Sequence, residues 1–148
     1  MTLHSSRDIG LAVFLVVMFI LPFLLIGLIY AETPYRMVAG EPVKDAAIAM
    51  GITIKSVKDT HWNLAGATGG KNYVLSDTEG NVVTIAVQSF DSAESRDAAI
   101  RLYNTYTIGK TKPVGNLVVV GQYLVYVTPA NSPVLAKLAP LLKQYSEA

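Results

Sequence analysis

The chain has 148 residues, 51% of them hydrophobic, with 12 Lys and Arg set against 11 Asp and Glu and no cysteine. A balance this near neutral, with no basic stripe, lacks the electrostatic footprint of a nucleic-acid binder. The lack of cysteine excludes a disulfide framework and a thiolate metal site, but leaves the redox compartment open, because a domain of this size needs no staples.

Residues 1–9 form a short amino-terminal tail. From Gly10 to Tyr30, GLAVFLVVMFILPFLLIGLIY contains no charge, histidine or side-chain amide. At about 1.5 Å of rise per residue, about twenty residues cross a hydrocarbon core of about 30 Å. A secretory signal has a shorter apolar centre and small residues at its cleavage site, whereas Ile29-Tyr30-Ala31 is bulky where it should be small. Residues 10–30 are therefore read as a retained transmembrane helix in contact with membrane lipid. Pro22 predicts a kink whose freed carbonyl favours a packing partner, which makes it a candidate partner-binding residue. Tyr30, Tyr35 and Arg36 suit the interface. Few charges flank the span, so the orientation with the domain extracytoplasmic follows mainly from the signal-anchor arrangement of short tail, single span and long carboxyl side.

Residues 31–43, AETPYRMVAGEPV, hold two prolines and a glycine and read as a linker. Residues 44–148 form the remaining domain. Lys44–Met50 predicts a short helix ended by Gly51, and Ile52–Val57 a strand. Thr60–Lys71 holds Trp62, the one tryptophan, with His61 and a glycine cluster. Gly66 and Gly70 have the wrong spacing for a phosphate loop, and no hydroxyl residue follows Lys71, so a flexible loop is expected. His61 and Trp62 could flank a small-molecule pocket. Without a second histidine or a cysteine in this domain, no metal site is indicated.

Asn72–Ser76 and Val82–Phe90 predict a hairpin around Asp77–Asn81. Asp91 and Glu94 have capping-box spacing, and Ala99, Leu102, Tyr103 and Tyr106 recur at helical spacing. This places Glu94, Arg96, Asp97 and Arg101 on the exposed side, with Asp97 and Arg101 one turn apart as a surface pair. Lys110–Lys112 reads as a solvated loop. Leu117–Val120 and Tyr123–Thr128 flank Gly121-Gln122, a type II′ turn pattern. Ser132-Pro133 then opens a helix with Val134, Leu135, Leu138, Leu142 and Tyr145 on its apolar stripe, kinked or restarted at Pro140.

Placing Asp91-Ser92 over Asn131-Ser132 aligns strand, cap and helix, so the domain reads as two strand-strand-helix units. The expected class is α+β, one antiparallel sheet with both helices on one face. The second hairpin is apolar at nearly every position. Either it lies at the sheet centre, its other face covered by residues 52–57 or a loop, or Leu124 and Tyr126 belong to a face covered by another protein.

No nucleophile elbow and no environment-split carboxylate pair occurs, so neither catalytic nor cofactor-binding residues are assigned. The expected function is a single-pass, non-catalytic accessory or interaction subunit of a membrane assembly, with a protein partner or a second copy. The alternative is a membrane-tethered module that binds a small ligand at His61 and Trp62, with Trp62 fluorescence as its reporter.

Overall fold

A computed structural model describes residues 33–109 and 114–148. The expected span 10–30 with Pro22, and the basic loop at Lys110–Lys112, lie outside the described residues. Among the described residues, no helix is long and apolar enough to cross a membrane. The chain divides into Met1–Thr33 and Pro34–Ala148, and the fold below is that of the second unit.

Its elements are α1 (Pro42–Ala49), β1 (Thr53–Thr60), β2 (Ala67–Ser76), β3 (Val82–Phe90), α2 (Ala93–Thr107), β4 (Asn116–Val120), β5 (Tyr123–Thr128) and α3 (Pro133–Glu147). The five strands form one sheet in the order β1-β2-β3-β5-β4, and every neighbouring pair is antiparallel. The α+β class and the joining of two hairpins therefore hold. Strand β2 starts earlier than the sequence suggests. Residues 67–71, expected to be a flexible loop, are its first half, paired with β3 and, from Gly70, with β1. The glycines serve the strand itself. Gly69 adopts φ +111° beside a bulge, and a Cβ on Gly70 would lie 1.7 Å from the Val87 carbonyl oxygen.

Alternation along the strands divides the core in two. Tyr73, Leu75, Val83, Ile85, Val87, Val125 and Val127 face one side, where Val43, Ala46 and Ala47 of α1 and Val134, Leu135, Leu138 and Leu142 of α3 cover them. Phe90 and Leu124 face the other side and meet Ala99 and Ile100 of α2. Helices thus lie on both faces, not one. The apolar second hairpin explains the difference: Leu117, Val119 and Leu124 need cover as much as Val118, Val120 and Val125 do. Strands β3 and β4 run parallel with β5 between them, so α2 is a crossover rather than a return onto the same side.

The caps show why the helices begin where they do. Ser92, one residue after the expected Asp91, accepts from the Ser95 amide, and Ser132 accepts from the Val134 amide with Pro133 opening α3. Helix α3 continues through Pro140 without restarting. At the β2–β3 turn, Asp77 Oδ1 accepts from the amides of Glu79 (3.0 Å) and Asn81 (2.9 Å), while Oδ2 accepts from Asn81 Nδ2 (2.9 Å) and Lys137 Nζ (3.2 Å).

Residues 34–41, expected to be part of a linker, are fastened to the domain. The Gln122 side-chain amide pairs with the Val38 backbone as a strand would, Val38 N donating to Oε1 (2.7 Å) and Nε2 donating to Val38 O (3.1 Å). Arg36 donates to the carbonyl oxygens of Glu147 and Ala148, each at 2.7 Å, and so caps the negative end of α3. The Tyr35 hydroxyl donates to the Phe90 carbonyl at 2.7 Å.

Candidate functional site

Among the described residues, an apolar and a polar concavity stand out. The apolar groove, about 400 Å³, is built by α2 against the β4–β5 hairpin. Leu117, Leu124 and Tyr126 of the hairpin line it, with Leu102, Tyr103 and Tyr106 of α2 opposite and Trp62 and Val114 also lining it. Tyr103 and Tyr126 meet edge to face at 5.9 Å and 69°, and the Tyr103 hydroxyl donates to the Gly115 carbonyl at 3.1 Å. That bond ties α2 to the residue just ahead of β4. Of its lining residues, Leu102 is 43%, Tyr106 71% and Val114 70% exposed.

Helix α2 turns a different stripe to the core than Ala99, Leu102, Tyr103 and Tyr106 imply. Ala99 and Ile100 are buried, while Leu102 and Tyr106 are exposed. Arg96, assigned to the solvated side, is 2% exposed. The signal was present: 96, 99, 100 and 103 follow the i, i+3, i+4, i+7 spacing of one helix face. Arg96 Nη1 donates to the carbonyls of Gly121 (2.6 Å) and Pro34 (3.4 Å), its Nε and Nη2 reach Asp97 Oδ1, and its guanidinium lies 5.6 Å from the Tyr35 ring centroid. Asp97 therefore pairs with Arg96 and not with Arg101.

The polar cleft, about 630 Å³, lies by α1 and the Tyr73-bearing face, where Glu41, Asp59, His61, Gly69, Lys71 and Tyr123 are among its lining residues. Glu41 bonds Lys71 at 2.9 Å and Lys44 at 3.4 Å, and the Lys71 ammonium holds the Glu41 carboxyl below its usual range. Burial pushes the Tyr73 phenol up to about 12, with the Glu41 carboxylate adding to the effect, and burial likewise raises Tyr123. Some of the polar groups here also bond within the cleft: Ser89 Oγ donates to the Gly69 carbonyl at 2.9 Å, and Thr68 shares a hydroxyl contact with Ser89.

The site residues read from sequence thus separate. Leu124 is 1% exposed beneath α2, so the chain's own helix covers it, whereas Tyr126 remains partly open in the groove. His61 and Trp62, expected to flank one pocket, line different concavities. His61 is exposed at the polar cleft, while Trp62 packs edge to face on Phe90 at 6.5 Å and 71° and lines the apolar groove. The Trp62 amide donates to the buried Gln88 Oε1 at 2.6 Å, which fixes where the chain passes from one concavity to the other. Among the described residues, no group of three or more His, Asp or Glu is placed to hold a metal ion. No family model, curated protein or solved structure matches the chain.

Proposed function

We propose that the chain is a single-pass, membrane-anchored, non-catalytic protein whose α+β domain is an interaction subunit of a larger membrane assembly, held extracytoplasmically by residues 10–30. The observation that carries the interaction reading is the apolar groove with its exposed border of Leu102, Tyr106 and Val114. A contiguous apolar surface of this kind is costly to leave in water and characteristic of protein contact sites. The charge-free run 10–30 supports the anchor. Alkaline carbonate treatment of membranes tests it, with the chain expected in the pellet. Extraction in mild detergent tests the subunit reading, with the chain expected in a particle heavier than one copy.

The second reading, a tethered small-ligand module, is favoured by the polar cleft at His61. Here the reporters are His61 and Tyr123, read by proton NMR during ligand titration. Trp62 emission instead reports the apolar groove, so the two readings give different signals from one titration.

A further inference from the structure

We infer that β4 is the contact strand of a two-fold dimer of this chain. The inference rests on the interaction reading above and names its partner as a second copy.

The sheet has two edges, β1 and β4. Strand β1 carries Lys55, Lys58 and Asp59 and a register irregularity between Ile54 and Ser56, the devices by which edge strands resist pairing. Against its own copy such an edge sets lysines near lysines. Strand β4, Asn116-Leu117-Val118-Val119-Val120, has no charged residue and pairs with β5 without irregularity, so self-pairing meets no like-charge repulsion.

Backbone geometry then selects a strand as the occupant. Val120 and Tyr123 flank the two-residue turn Gly121-Gln122, in which Gly121 takes φ +55°, and such a pair exchanges both hydrogen bonds. Alternation directs the polar backbone groups of Val118 and Val120 towards β5 and those of Leu117 and Val119 outwards. Among the described residues, no bond outside the sheet engages the outward groups. A two-fold axis at Val118 sets Leu117 of each copy opposite Val119 of the other, so both outward N–H groups and both outward carbonyls of each copy find partners. The pattern is self-complementary, as an isologous contact requires. Tyr103 ties α2 to Gly115, so the groove border of Leu102, Tyr106 and Val114 adjoins this same edge.

The chain has no cysteine, so Val118→Cys introduces a single thiol at the axis. A directly opposed non-hydrogen-bonded pair has Cα atoms about 4.5 Å apart, within disulfide reach. The full chain is oxidised mildly in membranes, with Val57→Cys on β1 as the control, and the unsubstituted chain is weighed in mild detergent by native mass spectrometry. Covalent dimer from Val118→Cys well above the control, together with a two-copy mass, supports the inference. A one-copy mass overturns it, as does equal cross-linking at both positions. A particle holding one copy and a different protein also overturns it while leaving the interaction reading intact. Loss of the chain into carbonate overturns the anchor reading alone, and a two-copy mass of the released chain still supports the β4 contact.

Discussion

Arg96 shows how one charged side chain can organise distant backbone. Enclosed by α2, the Gly121 turn and Tyr35, it serves two carbonyls that would otherwise be left without it. Arg96→Ala is expected to lower stability by about 2–4 kcal/mol, the scale of buried acceptors losing their donor. Urea unfolding of the domain measures this. Arg96→Lys restores little, because an ammonium cannot serve several acceptors in the guanidinium's planar fork. Asp77 gives a second residue-scale expectation. Its carboxyl is held down at about 2 from an ordinary 3.8, chiefly by the Asn81 side-chain amide and then by the Asn81 backbone amide and Lys137. With the folded value lowered, its contribution is complete above 3.8 and declines as pH falls through 2. Unfolding midpoints followed from pH 5 to 2 are expected to fall less steeply in Asp77→Asn than in the parent chain.

The helices and residues 34–41 were legible to different degrees. Helix α3 follows its apolar stripe as read, since Val134, Leu135, Leu138 and Leu142 are all buried. In α2, the charge of Arg96 points by composition to solvent and so masks the stripe it shares with Ala99 and Ile100. The cap moved from Asp91 to Ser92, and Ser92→Ala is expected to cost about 1 kcal/mol in thermal unfolding. Residues 34–41 carry no periodicity to read, because side chains distant in sequence fix them: Gln122 and Arg96 hold Val38 and Pro34. A polypeptide starting at residue 34 is therefore expected to unfold in one cooperative step. One starting at 44 is expected to melt lower, and circular dichroism on both decides the point.

For the whole molecule, the two hairpins and their union into one sheet could be read from alternation and turn residues, as Gly121 and the Asp77 turn illustrate. The strand order, and the placing of helices on both faces, depended on contacts between the hairpins that no local pattern encodes. Apolarity on both faces of β4 and β5 was the one available sign. The concavities were less legible still. His61 and Trp62 are neighbours in sequence, yet the chain delivers them to separate surfaces. Trp62→Phe is accordingly expected to leave a ligand response at His61 unchanged in NMR titration.

The fastening of residues 34–41 also determines where the domain would bear mechanical load. Tension entering at residue 33 meets Arg96, Gln122 and Arg36 before it reaches α1, and passes through them to the β4–β5 turn and the end of α3. Those two points touch each other, Gly121 N donating to Ser146 Oγ at 3.2 Å, so a pull would first strain one cluster of side-chain clamps and only afterwards peel the sheet.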